Sequence, residues 1–373
     1  MLNIVIIQRV VPSYSGAFFN ELALNLKGKA IVHVIADYDT RTTLNQAGNY
    51  DDFHKVNFRC VDLKGFNLEI GLRKLILSCK PDIVIFGGNS RSLLSIPIML
   101  YLKFKGVKLF SWGMFHRIGR SRFSSNLMFW LYASLSNKTL CYGRTGARQL
   151  LAMGLKPESL KVIGTAIDES KPLTEAVLVD KKCLNNIIVK YNLICNKIVL
   201  QVVRLSSIKK PLILIEVAKI LVSKDPEYKF LLVGDGELKK SVYNLIREYK
   251  LENNVYLLGP VYSESELAKL YTISTVFVMP TCIGLSAHHA MAYSLPIVTD
   301  DSLAFQASEF DILSNGLNSL TYKEGDVKDF SRKISYVCEN PSFREFLSKN
   351  ALQTVKVHSL NKKVNNFIEY VLG

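Results

Sequence analysis

Short runs of aliphatic and β-branched residues alternate along this chain with longer stretches whose apolar positions recur every three to four residues. Consecutive apolar positions fit strands covered on both faces, and the segments between them carry the helical period. The pattern therefore predicts βαβ units and parallel sheets. In the first half the predicted strands are Asn3–Ile7, Ala30–Ala36, Asp82–Phe86, Val107–Trp112, Lys138–Cys141 and Lys161–Ile163. The helices between them cover Gly16–Leu26, Glu69–Ser78, Leu93–Lys103, Ser124–Leu135 and Gly143–Met153. In the second half the strands are Lys197–Val203, Lys229–Val233, Asn254–Leu258, Thr275–Met279 and Pro296–Thr299, each followed by a helical pattern or a turn. A last amphipathic helix, Leu360–Leu372, follows the second sheet.

Residues Asp168–Asn196 contain Pro172 and many polar positions and break the alternation. The expected organisation is therefore α/β, with two doubly wound Rossmann-like domains. Residues 1–170 form the first domain, 171–196 a connection and 197–354 the second domain, with a helix at 355–373 packing back on the first. A chain of 373 residues is too long for a single core and fits this division. Two such domains imply a cleft lined by loops at the carboxyl ends of both sheets.

Composition narrows the class. Hydrophobic residues make up 49% of the chain, which excludes disorder. The longest apolar runs, Leu93–Leu102 and the stretch around Leu127–Leu135, fall short of the ~20 residues a bilayer span needs. Met1–Val11 lacks a basic leader region and a cleavage site and reads as a first strand, so no export is expected. Cys60, Cys79, Cys141, Cys183, Cys195, Cys282 and Cys338 are scattered without a C-x-x-C pair, as in reduced thiols. The histidines lack metal-binding spacing, and no metal site is expected.

The formal charge of +15 is unevenly placed: residues 1–170 hold 22 Lys/Arg against 11 Asp/Glu, the remainder 25 against 21. Between Asp82 and Glu158 there are eleven basic residues and no acid. Such a half points to an anionic partner, whether nucleic acid, acidic phospholipid or a diphosphate-bearing acceptor; a solvated basic face is the alternative.

Three motifs carry candidate chemistry. Val233-Gly234-Asp235-Gly236-Glu237 runs from a strand into a Gly-rich turn and a helix, where backbone can approach a ligand and a helix N-terminus favours an anion. It lacks the full G-x-G-x-x-G of a dinucleotide site, and a tight turn alone also accounts for it. Arg204, followed by Lys209 and Lys210 at a helix start, would clamp a diphosphate; the alternative is exposed surface charge. In Met279–Ala292 a strand ends at Pro280, a small-residue loop follows and a helix begins near Leu285. Amides of such a loop bind phosphate oxygens. His288 and His289 are adjacent and cannot share a helix face, so at most one of them points into a cleft.

The order V-x-R-L…K-K-P, L-L-V-G-D-G-E-L, L-L-G-P-V…L-A-K-L-Y, V-F-V-M-P-T and H-A-M-A-Y-S-L-P-I-V resembles the second domain of family-4 glycosyltransferases of GT-B fold, over about residues 197–340. The resemblance implies that Arg204 and Lys210 bind the donor diphosphate. It implies that the segment Gly259–Val261 holds the nucleotide base, with Val261 among the donor contacts beside Gly234 and Gly236. The loop Thr281, Cys282, Ile283, Gly284, Leu285 and the following Ser286 would place amides on the donor phosphates and sugar. The family usually carries two glutamates eight positions apart here; this chain has Thr281 and His289 instead. It is similar in this to a subgroup of sugar transferases for surface polysaccharides, with G-L-S-x-x-H and a following Q-x-x-E-F, matched by Gln306–Phe310. His289 would then hydrogen-bond ribose, and Glu309 would be a replacement carboxylate.

In the first half, Arg9–Phe19 resembles the loop after the first strand, whose glycine, here Gly16, lies near donor phosphates and acceptor. Ser111–His116 is similar to a W-G-H-G pattern with Met114 in the histidine position, leaving His116 as the nearest substitute. Arg117, Arg120, Arg122 and Arg144 are candidates to face an acceptor diphosphate or lipid headgroups.

These readings imply a metal-independent sugar transferase with no cofactor, its UDP- or GDP-linked sugar being a substrate. Transfer would proceed with retention to a lipid-linked oligosaccharide of lipopolysaccharide, O-antigen or capsule. The enzyme would lie on the cytoplasmic face of a membrane with an anionic surface and bind no nucleic acid. The alternatives are a non-catalytic GT-B scaffold and a nucleotide-sugar 2-epimerase.

Overall fold

The structure, a computed structural model, describes residues 1–38, 52–119, 122–193 and 197–373. Two compact units divide the chain: residues 1–168 with 360–373, and residues 169–359.

Unit 1 runs β1 (Leu2–Ile7), α1 (Ser13–Asn25), β2 (Ala30–Ala36), β3 (His54–Asn57), β4 (Arg59–Leu63), β5 (Phe66–Ile70), α2 (Leu72–Ser78), β6 (Ile83–Gly87), α3 (Ser95–Phe104), β7 (Lys108–Gly113), α4 (Phe123–Leu135), β8 (Lys138–Cys141), α5 (Arg144–Ala152) and β9 (Leu160–Val162). Its seven-stranded parallel sheet has the order β3-β2-β1-β6-β7-β8-β9. Successive strand residues alternate between two cores. Ile4, Ile6, Val32, Val34 and Ile85 face the layer containing α1, and Val5, Ile7, Ile35, Val84 and Phe86 face α2 to α5. This two-sided burial is why the strands read as unbroken apolar runs.

Two elements here escape the apolar pattern. Strand β3 lies at a sheet edge and is mostly exposed, and β4 and β5 form a separate antiparallel hairpin in which β5 buries Asn67 and Glu69 and exposes Phe66 and Ile70. The helix expected over Glu69–Ser78 starts only at Leu72, because Glu69 and Ile70 belong to β5 and Gly71 turns the chain at φ +74°.

Unit 2 runs α6 (Ser170–Leu178), α7 (Lys181–Lys190), β10 (Ile198–Val202), α8 (Pro211–Lys224), β11 (Lys229–Val233), α9 (Lys239–Glu248), β12 (Val255–Gly259), α10 (Glu264–Ile273), β13 (Val276–Met279), α11 (Ser286–Ala292), β14 (Ile297–Asp300), β15 (Ser319–Tyr322), α12 (Val327–Glu339) and α13 (Pro341–Val357). The parallel sheet order is β12-β11-β10-β13-β14-β15. The expected connection over 171–196 is instead largely helical and belongs to this unit. Pro172 lies in the first turn of α6, where a missing N–H costs nothing. Asp180 caps α7 by accepting from the Lys182 amide. Leu173, Ala176, Ile187 and Ile188 pack on the unit 2 core.

The chain then returns to unit 1 as α14 (Leu360–Leu372), whose Val364, Phe367 and Val371 complete the core beside α1. Phe367 stacks edge-on to Phe18 and Trp112, both at 5.3 Å. Among the described residues no helix is long and apolar enough to cross a membrane.

Candidate functional site

The loops leaving β10, β11, β13 and β14 meet at the carboxyl end of the unit 2 sheet. Gly234 and Gly236 serve this meeting directly. A Cβ at Gly234 would lie 1.8 Å from the Val203 carbonyl oxygen, and one at Gly236 2.4 Å from that of Leu205. Their smallness lets the β11 turn touch the loop carrying Arg204, and the Leu205 amide donates to the Asp235 carbonyl across it at 2.9 Å. Glu237 accepts from the Ser207 amide at 2.9 Å. That backbone bond first, then the Ser207 hydroxyl and the charge of nearby Arg204, hold the exposed Glu237 carboxyl below its usual range. Arg204 itself is exposed.

The two lysines separate. Lys209 Nζ donates to the Cys282 carbonyl and lies 3.5 Å from its Sγ, so Lys209 clasps the loop after β13. Lys210 pairs with Glu324 at 3.1 Å and lies over the Phe305 ring. The resemblance pointed to Lys210; in the structure Lys209 is the lysine that reaches the loop.

That loop is tightly held. Thr281, Cys282 and Ile283 are buried, with Cys282 in the left-handed region at φ +54°. The Ile283 amide, expected on donor phosphates, donates to Gln306 Oε1 at 2.8 Å. Gly284, Leu285 and Ser286 are half-buried and lead into α11. Gln306 Nε2 donates in turn to Asp300 Oδ1 at 2.6 Å and Thr299 Oγ1 at 3.1 Å. Gln306 thus ties the 281–284 loop to the end of β14. Burial pushes Asp300 up to about 6, opposed by the neighbouring Thr281 hydroxyl and the hydrogen bond from Gln306. Glu309 is buried in a 3-10 turn, Ser308–Ile312. Burial raises the Cys282 thiol; the Lys209 charge opposes this, and Glu309 and Asp300 add to it, which places both carboxyls near the loop.

The adjacent histidines part as their spacing requires: His288 is buried and His289 is half-buried. His289 Nε2 lies 3.4 Å from Glu264 Oε2, and the Tyr293 hydroxyl donates to Glu264 Oε1 at 2.8 Å. Burial raises the Glu264 carboxyl, but hydrogen bonds from His289 and Tyr293 outweigh it and hold the group low. Nothing in the spacing of the sequence singles out Glu264. The first turn of α10 brings it to His289, with Val261 packed on the core just before that helix.

In unit 1, Gly16 is buried within the first turns of α1 rather than in an open loop. His116 is also buried, with Nδ1 3.1 Å from the Met114 carbonyl oxygen. Gly146 permits this turn to pack on α5, since a Cβ there would lie 1.9 Å from Met114 O. Arg117 donates to Ser125 Oγ at 3.1 Å. Arg122 and Arg144 are exposed at the starts of α4 and α5, and Arg120 lies outside the described residues. Among the described residues no three His, Cys, Asp or Glu side chains gather as a metal-binding group.

HepE of Anabaena, solved in complex with UDP, superposes on this chain with a TM-score of 0.76 over 99% of both chains at 16% identity. The fold is GT-B. Residues 192–354, which contain every unit 2 candidate above, match the family described as Glycosyl transferases group 1. The poly(ribitol-phosphate) alpha-N-acetylglucosaminyltransferase of Staphylococcus aureus (strain COL) is 28% identical over 171 residues, covering 45% of this chain and 34% of that one. The poly(glycerol-phosphate) alpha-glucosyltransferase of Bacillus subtilis (strain 168) is 26% identical over 166 residues, 44% of this GT-B chain and 24% of the relative. The matches thus span about a third and a quarter of these relatives' lengths.

Proposed function

We propose that the chain transfers a sugar, with retention of anomeric configuration and without a metal ion, from a nucleotide-sugar donor to a lipid-linked saccharide of a surface polysaccharide. The observation that carries this reading is the placement of two cations at the carboxyl end of the unit 2 sheet, Lys209 on the loop after β13 and Arg204 beside Glu237 of the β11 turn, inside the segment that matches the glycosyltransferase family. In such a transfer the bond from the anomeric carbon to the diphosphate oxygen breaks, and a bond to the acceptor oxygen forms on the same face. The acceptor proton leaves with the diphosphate. Negative charge grows on the departing group, and preorganised cations placed against it lower the barrier most. Lys209, now on a carbonyl, and the exposed Arg204 supply those cations.

The relatives' names support a sugar transferred to phosphate-bearing polymers, and the UDP complex of HepE favours a uridine donor over a guanosine one. His289, oriented by Glu264, is assigned to the ribose. The test is a melting-temperature screen with UDP, GDP and dTDP, followed by donor turnover with the best nucleotide's sugars. Stabilisation by one nucleotide and release of that nucleotide on turnover are expected. Stabilisation without any turnover would leave a sugar-nucleotide-binding scaffold.

A further inference from the structure

Helices α3 and α4 carry more apolar surface than the core uses. Inward, Ile98, Met99 and Leu102 of α3 and Phe129, Tyr132 and Ala133 of α4 are buried in one cluster. Outward, Phe104 is 89% exposed and Phe123 84%, with Leu100, Leu127 and Trp130 also exposed. Leu100 and Phe104 are four apart, and Phe123, Leu127 and Trp130 fall at i, i+4 and i+7. Each set is therefore a stripe along its helix. The two helices pack on each other over the same side of the sheet, so the stripes share one face of unit 1. Single exposed apolar residues are ordinary; two adjoining stripes with three aromatic rings mark a surface that something covers.

The border of this face identifies the cover. Lys103, Lys105 and Lys108 stand where α3 ends, and Arg122 where α4 begins, all exposed. Residues 83–157, which contain both helices, hold eleven Lys/Arg and no Asp or Glu. Exposed lysines and arginine from an acid-free stretch, set around aromatic and aliphatic side chains, fit the boundary between acyl chains and anionic headgroups. We propose that this face seats unit 1 on an anionic phospholipid bilayer, with Phe104, Phe123 and Trp130 entering the headgroup boundary and Lys103, Lys105 and Arg122 against lipid phosphates. The inference stands on surface residues of unit 1 and does not depend on the donor site in unit 2.

The chain provides its own probe. It has two tryptophans; Trp112 is buried in the core at 4% exposure and Trp130 lies on the face at 38%. With phosphatidylglycerol-containing vesicles, Trp130 emission should shift to the blue and be quenched by bromine-labelled acyl chains. Phosphatidylcholine vesicles should have little effect, and added salt should weaken capture. Phe104→Ser and Phe123→Ser should each weaken vesicle binding by about tenfold, the fold-change expected for losing one buried apolar side chain. Both should keep the wild-type melting temperature and nucleotide-induced stabilisation, because neither touches a core or the donor site. The proposal is overturned if anionic vesicles fail to bind at low salt, or if the serine variants bind as well as wild type. It is equally overturned if the face proves to be a contact between copies, seen as concentration-dependent self-association that the serine variants abolish while vesicles stay unbound. Vesicle binding without any nucleotide-induced stabilisation would remove the functional reading above and leave this one standing.

Discussion

Two neighbouring lysines take different tasks because Lys210 enters the left-handed region at φ +46° and turns the chain into α8. The sequence shows two equivalent cations; only that turn sends Lys209 to Cys282 and Lys210 to Glu324. Lys209→Ala should therefore lower transfer by about a hundredfold, as removal of a transition-state cation does. Lys210→Ala should lose less than about tenfold, because a part-exposed pair contributes only ~1 kcal/mol. Steady-state kinetics on both variants decide, and equal losses would return Lys210 to the clamp. The same limit hid Glu264: His289 is visible in the sequence, but its partner lies 25 positions earlier and meets it only through the fold. Asp300 gives a pH test. Its carboxyl sits at about 6 in the fold against 3.8 ordinarily, so between those values the folded state holds more proton than the unfolded one, and stability falls as pH rises. Asp300→Asn keeps the oxygen that Gln306 donates to and removes the charge. Relative to wild type it should gain up to about 3 kcal/mol between pH 3.5 and pH 7.5, measured by chemical denaturation. A constant difference across that range would mean that the Asp300 carboxyl titrates alike in the folded and unfolded chain, with no upward shift in the fold.

Among the elements, those buried on both faces were legible and those at edges were not. Central strands such as β1, β6, β10 and β11 announce themselves as apolar runs, whereas β3 exposes most of its residues and β5 inverts the pattern by burying Asn67 and Glu69 and exposing Phe66 and Ile70. Polar composition also made α6 and α7 read as a connection, since each presents only one apolar side to the core. The amphipathic period of α14 predicted the helix; the side chains show what it closes. Its Lys363 ammonium lies over the rings of Phe18, Trp112 and Tyr142 at 5.0, 5.6 and 5.7 Å, and its Phe367 packs edge-on against both Phe18 and Trp112. Phe367→Ala should cost unit 1 about 3–5 kcal/mol, the usual loss for a large ring removed from a core. Denaturant unfolding followed through Trp112 emission measures it. A loss under 1 kcal/mol would make α14 an appendage rather than part of the core.

For the molecule as a whole, the division into two units sets an experiment that neither unit offers alone. Each unit has its own parallel sheet and its own cores, so each has the means to unfold as a separate cooperative body. Composition along the chain pointed to this division, with most of the excess positive charge in the first 170 residues, yet charge does not say which unit binds nucleotide. The residues assigned to the donor (Arg204, Lys209, the 281–286 loop and His289) all belong to unit 2, while both tryptophans belong to unit 1. Tryptophan emission therefore follows unit 1, and far-UV circular dichroism follows both. UDP at a hundredfold excess over its dissociation constant adds about 2.7 kcal/mol to whatever body binds it. For a unit of this size that raises the midpoint by roughly 5–10 °C. The expected result is a dichroism transition split by UDP, with an upper component moving to higher temperature and a tryptophan transition that stays in place. Movement of the tryptophan transition alone would transfer the nucleotide site to unit 1 and with it the roles given to Arg204 and Lys209.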